Sequence, residues 1–211
     1  MANSPGREAS RAIFHSPLYE TPHAVYNRYM QLGASATFMD PRAVISHFHL
    51  RQGDTVADFG AGTGHYMKTL SQAVGSQGKV YACEIQKRLL TELTERIQKE
   101  RLANVYPVWC DLEAHGGTKL KEDLLDAGLL MNTLFQFEDK VSALTEIRRV
   151  LRKGGKLLIV DWKDSFGGIG PQPGHVMKEA ETRKLLEAHG FVFERDFPAA
   201  DHHYGLAFKK Q

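Results

Sequence analysis

The chain has 211 residues, enough for one domain with a full core and too few for two large ones. It is 42% hydrophobic and 25% charged, with no apolar run of membrane-spanning length, so a membrane anchor is not expected. Lys plus Arg number 27 against 25 for Asp plus Glu, a net charge of +2 that permits nucleic acid as a partner and does not favour it.

The stretch "MANSPGREAS" is polar and lacks the apolar core of a signal peptide, so a cytoplasmic location is expected. Residues 1–50 read as an N-terminal helical extension that serves as a substrate lid. "FHSPLYETPHAVYNRYMQLG" is rich in His and Tyr with Pro breaks, and "DPRAVISHFHL" is a short helix with Asp40 as cap and Pro41 at its first position.

Residues 51–211 alternate short apolar runs with longer segments of helical period, the pattern of a parallel sheet covered by helices on both faces. "DTVADF" is a first strand and "HYMKTLSQAVG" a helix closed by Gly75. "KVYACE" is a second strand, followed by a helix whose Leu89, Leu90, Leu93 and Ile97 share a face. "NVYPVWCD" and "DAGLLMNT" are the third and fourth strands. In "FEDKVSALTEIRRVLRKGG", Phe137, Val141, Leu144, Ile147 and Leu151 form a stripe. Acids lie near its start and bases near its end, and Gly154 and Gly155 supply the stop. "KLLIVDW" is a fifth strand. A Gly- and Pro-rich loop, "GGIGPQPG", precedes a helix "KEAETRKLLEAHG" capped by Gly190. "FVFERDF" and "HYGLAFKK", joined through "PAADH", end the sheet in a hairpin containing one antiparallel strand. The expected fold is a Rossmann-like, seven-stranded, mostly parallel α/β sheet.

Within this frame "VADFGAGTGHYMKTL" places Gly60, Gly62 and Gly64 between a strand and a helix, where backbone N–H groups approach a ligand closely. Alone the loop suits a dinucleotide, a phosphate or another nucleoside. The spacing is G-x-G-x-G with His65 next, which departs from the G-x-G-x-x-G dinucleotide pattern, and no Gly-Lys-Ser/Thr follows for a P-loop. Asp58, Glu84 and Asp111 close three successive strands at the end where an open parallel sheet binds ligands. Glu84 is thereby placed to accept the hydroxyls of a ribose.

These motifs resemble those of the class I S-adenosylmethionine-dependent methyltransferases, in order and at suitable spacing from Asp54 to Asp161. They are "VADFGAGTG", "VYACEI", "CDLE", "LLMNTLFQFED" and "ALTEIRRVLRKGGKLLIVDW", the last two being most similar to the ubiquinone and menaquinone biosynthesis branch. The resemblance implies S-adenosylmethionine as cofactor. Gly60, Ala61 and Gly62 would line its methionine part together with Gly64 and His65, and Glu84 would hold the ribose. Ile85 would pack on the adenine, Asp111 would accept from its exocyclic amine and Leu112 would offer a backbone N–H. Asp58 would order the loop and the ammonium, and Asn132 would border the reacting methyl. The branch often has histidines after this asparagine, whereas this chain has Thr133, Leu134, Phe135 and Gln136.

Methyl transfer from a sulfonium needs alignment and dryness, and a general base only where the nucleophile is protonated. Of the ten histidines, His47 and His49 lie beside apolar residues and suit a structural role. His202 and His203 at the final β segment, with Asp161 at the end of strand five, are the catalytic candidates. Tyr204, Trp162 and, in the extension, His15, Tyr19, His23, Tyr26 and Tyr29 are candidates for the acceptor wall. No His/Cys pair has supporting ligands at a recognised spacing, so no metal site is expected. "NTLF" lacks the prolines of enzymes that grip a planar amide or amine. A small-molecule acceptor is therefore expected ahead of RNA or protein, with loss of transfer activity as the non-enzymatic alternative.

Overall fold

The computed structural model describes residues 40–165 and 171–211. His15, Tyr19, His23, Tyr26, Tyr29 and part of the Gly- and Pro-rich loop lie outside them. The sheet belongs to a compact unit spanning Thr37–Gln211.

Among the described residues, five α-helices and seven strands follow in chain order: α1 (Pro41–Ser46), β1 (Thr55–Phe59), α2 (Met67–Val74), β2 (Lys79–Glu84), α3 (Lys87–Lys99), β3 (Val105–Trp109), β4 (Leu125–Met131), α4 (Lys140–Val150), β5 (Leu151–Trp162), α5 (Glu179–Ala188), β6 (Phe191–Phe197) and β7 (His203–Lys210). They form one sheet in the order β3-β2-β1-β4-β5-β7-β6. Only β7 runs antiparallel to its neighbours, so the expected seven-stranded Rossmann-like sheet is the fold observed.

The period-two alternation of the strands divides the core. Val56, Ala127, Leu129, Leu158 and Val160 face Met67, Leu70 and Val74 of α2 and Leu93 and Ile97 of α3. Ala57, Phe59, Leu130, Leu157 and Ile159 face Ala143, Leu144, Ile147 and Val150 of α4 and Leu186 of α5. Pro107 lies on β3, where the sheet edge tolerates the missing donor.

Helix α1 opens on the Asp40 side chain, which accepts from Arg42 N at 2.9 Å, as its sequence predicts. Its end is pinned to the sheet: Lys156 Nζ donates to Phe48 O at 2.5 Å and Arg195 to His47 O at 2.7 Å. His47 stacks on Phe197 at 4.4 Å between ring centres, a structural use of the ring.

The junction of α4 and β5 differs from expectation. Helix α4 ends at Val150, where Leu151 turns extended (φ −72°, ψ 136°) to pair with Leu125. The register shift between Leu125 and Ala127 absorbs the intervening Arg152–Gly155, and Gly154 makes its turn within β5. Early strand pairing thus displaces the helical stop. The buried face of α4 carries Ala143 in place of Val141, which is 48% exposed.

Gly128 on β4 sits under the fully buried ring of Phe59, and a Cβ there would come within 2.5 Å of Cε2. Gly128→Ala is expected to cost about 1–3 kcal/mol through overpacking. A denaturant midpoint lowered without a change in slope would register it; a midpoint at the wild-type value would overturn the assignment.

Candidate functional site

Strand order reverses between β1 and β4, and the residues at the carboxyl ends of the strands converge there. After β1 the chain turns through Gly60 and is folded by the end of β2. Cys83 O accepts from Gly60 N at 3.0 Å and Ala61 N at 2.9 Å, and Glu84 Oε2 accepts from Gly62 N at 3.0 Å. A Cβ on Gly60 (φ +93°) would meet Thr133 Oγ1 at 2.5 Å, and one on Gly64 would meet Leu93 Cδ1 at 2.6 Å. These two are packing glycines. Gly62 (φ +55°) has no heavy atom within 4 Å of that position, so its backbone is the one of the three that is open to a ligand. Helix α2 starts at Met67 rather than at His65, which lies in the turn with its ring edge-on to Tyr66 at 5.1 Å.

Asp58 points to the α2 side of β1 and is buried, and its Oδ1 has no hydrogen-bond partner among the described residues. Burial, then the nearby Glu84 charge, raises its carboxyl to about 7. Burial also raises the Glu84 carboxyl, against the lowering effect of N–H groups from Gln86, Gly62 and Ile85. Glu84 Oε1 accepts from Gln86 N at 2.7 Å, so both of its oxygens rest on backbone in this state. Asp111 is half-buried and accepts from Glu113 N at 3.0 Å.

Around these acids, Ile85 is 47% exposed, an apolar side chain left open beside Glu84, while Leu112 is buried. Trp109 Nε1 donates to Ile85 O at 2.8 Å, a brace for Ile85 that strand periodicity alone does not reveal. Asn132 has a left-handed backbone (φ +51°), donates its N–H to Val160 O at 2.8 Å, and leaves Oδ1 buried and without a partner among the described residues. An unpartnered buried carboxyl oxygen, an open glycine, an exposed Ile85 and an orphaned amide oxygen fit a nucleoside ligand that carries positive charge.

The three catalytic candidates fall on different faces. Asp161 turns toward the α4 and α5 side, buried, and accepts from Trp162 N at 2.8 Å and Phe135 N at 3.2 Å. Burial, opposed by these N–H groups and by Lys140, leaves its carboxyl raised to about 7. It holds the turn after β4 and has no open face of its own. Tyr204 lies on the same side, its hydroxyl 2.7 Å from Thr182 Oγ1 in the core, and so is not an acceptor-wall residue. His203 lies on the opposite face, 8% exposed, tilted on Trp162 at 4.1 Å between ring centres. Neither ring nitrogen has a hydrogen-bond partner among the described residues. Burial, then repulsion from His202, lowers its imidazole to about 4, which keeps it neutral at neutral pH. His202 Nδ1 pairs with Asp164 Oδ1 at 2.9 Å.

A family model described as a methyltransferase domain matches residues 50–194. The Marinomonas sp. ubiquinone/menaquinone biosynthesis C-methyltransferase UbiE is 28% identical over 190 residues, covering 90% of this chain and 71% of that protein. Its Escherichia coli namesake is 29% identical over 151 residues, covering 71% of this chain and 57% of its own length, so the chain spans little more than half of that relative. A crystal structure of a SAM-dependent methyltransferase from Aquifex aeolicus superposes with a TM-score of 0.79 at 27% identity, over 92% of this chain and all (100%) of that one. The glycine turn, the strand-end acids and these likenesses agree, and the chain belongs to the class I S-adenosylmethionine-dependent methyltransferases.

Proposed function

We propose that the methyl acceptor is a small molecule held against Trp162 and His203, and that the strand-end acids hold the donor. S-adenosylmethionine supplies a methyl on a sulfonium that leaves as a neutral thioether, so alignment and exclusion of water are the protein's main tasks. Glu84 would hold the ribose hydroxyls, and Ile85 would cover one face of the adenine. Asp111 accepts from the exocyclic amine, and Leu112 N donates to the ring. Gly62 would present its open backbone to the methionine part, with Gly60, Ala61, Gly64 and His65 shaping the turn that holds it there. Asp58 Oδ1 and Asn132 Oδ1, both without a hydrogen-bond partner among the described residues, would face the donor's positive charge.

The observation that carries the acceptor reading is the buried His203–Trp162 pair, whose two imidazole nitrogens lack hydrogen-bond partners among the described residues. A neutral imidazole against an indole suits a flat, hydroxyl-bearing molecule, orienting it and taking up a proton as the new bond forms. The C-methyltransferase name of the relatives supports a small acceptor. Asp161 is a positioning residue, since its carboxylate holds Phe135 and Trp162. His202, tied to Asp164, is the alternative base. Two buried thiols, Cys83 and Cys110, agree with a reducing cytoplasmic setting.

An acceptor screen that follows S-adenosylhomocysteine should find turnover on small phenols or quinols; turnover confined to RNA or protein would overturn this reading. Calorimetry should show Glu84→Ala weakening S-adenosylhomocysteine by about 10-fold or more through loss of charge-assisted bonds. Wild-type affinity in that variant would remove Glu84 from the ribose site. Because a positive ligand favours the Asp58 carboxylate, S-adenosylmethionine affinity should rise with pH up to about 7 and level off above it, with a proton released on binding below that pH. A pH dependence unchanged in Asp58→Asn would contradict this. On the acceptor found, His203→Ala should lower kcat by about 100-fold while leaving donor affinity alone; retained kcat would dismiss His203.

A further inference from the structure

Glu146 sits in the middle of α4, among Ala143, Leu144, Ile147 and Val150, and is 1% exposed. A charge in such a place is costly unless its oxygens are met by donors of good geometry. Here three of the five bonds to them come from one loop and two from Arg149 on the same helix. Gly116 N donates at 2.9 Å, Thr118 N at 3.1 Å and Thr118 Oγ1 at 2.5 Å, while Arg149 clasps both oxygens at 2.7 and 2.8 Å. Arg149 also donates to Leu120 O at 2.9 Å. Burial alone would raise the Glu146 carboxyl, but Arg149, Thr118 and Gly116 outweigh it and bring it to about 2, so it is ionised throughout the physiological range.

The loop so held begins with Asp111 and Leu112. Between the two clamped residues lies Gly117, whose carbonyl accepts from Asp111 N at 3.3 Å. A Cβ on Gly117 would fall 1.9 Å from Asp111 O, so the two backbones are in direct contact. The chain of contact runs Glu146, Gly116 and Thr118, Gly117, Asp111. A hydrocarbon in place of Glu146 would fill the space equally well, whereas only a carboxylate gathers these particular donors at one point.

We propose that Glu146 is a positioning residue for base recognition: by fixing Gly116 and Thr118 it sets where Asp111 and Leu112 stand, and thereby the selectivity of the site for an adenine over a 6-oxopurine. This rests on the reading of Asp111 as partner of the exocyclic amine. It assigns to α4, on the far side of the sheet from the glycine turn, a part in choosing the donor.

The test is the ratio of dissociation constants for S-adenosylhomocysteine and S-inosylhomocysteine, its 6-oxo counterpart, measured by calorimetry on the intact chain. A general loosening weakens both ligands alike and leaves the ratio unmoved. Wild type is expected to prefer the adenosyl ligand by about 10-fold or more, and Glu146→Gln to bring the ratio toward unity. Thr118→Val, which removes one donor and keeps the shape, is expected to lower it by about threefold. Should Glu146→Gln fail to fold, Thr118→Val decides. Wild-type ratios in both variants, with the ratio lost in Asp111→Asn, would overturn the role of Glu146 and leave Asp111 standing. A wild-type ratio in Asp111→Asn as well would overturn the adenine reading and this inference with it.

Discussion

Three consecutive N–H groups, of Gly60, Ala61 and Gly62, find their acceptors on two consecutive residues of the neighbouring strand, the Cys83 carbonyl and the Glu84 carboxylate. Backbone donors at a sharp turn must be satisfied somewhere, and here the strand end does it. The turn after β1 is therefore shaped by β2 before any ligand arrives. Asp58 below it, the start of α2 beyond it and the Thr133 turn beside it all take their places from that junction.

Four buried carboxyl groups serve the sheet in two ways. Glu146 and Asp161, both on the α4 and α5 side, are surrounded by N–H donors and hold loops in place. Asp58 and Glu84 stand at the strand ends, and Asp58 keeps an oxygen unmatched among the described residues. A satisfied buried acid behaves as a fastener, and an unsatisfied one stores a preference for positive charge. The parity of each strand decides which role a residue can take: Asp161 and Trp162 are adjacent in the chain and look out on opposite faces.

That parity explains where the sequence was readable. In β1, β2, β4 and β5 long apolar runs and terminal acids mark element type, order and strand end, so the sheet and its crevice follow from pattern alone. His202, His203 and Tyr204 are different. Their faces depend on the residue at which β7 begins, and a loop as plain as "PAADH" does not mark it. Tyr204 is consequently a core residue despite its polar tip. Val141 joined the expected stripe because it is large and apolar, whereas Ala143, which does face the core, carries a weak signal. The role of Glu146 is hidden in the sequence for a related reason. An acid beside Ile147 on the buried arc of a helix is a visible anomaly, but its partners, Gly116 and Thr118, are brought to it only by the fold.

Thr133 Oγ1 bonds to Met131 O at 2.8 Å and stands where any side chain at position 60 would go. The first glycine of the turn and the residue after Asn132 thus compete for one volume. A side chain at position 60 would need Thr133 to shrink, and the positive φ of Gly60 (+93°) would strain it even then, whereas Gly60 has no side chain to give up in return. The two sites, more than seventy residues apart in the chain, are thus coupled in one direction, and position 133 must change before position 60 can.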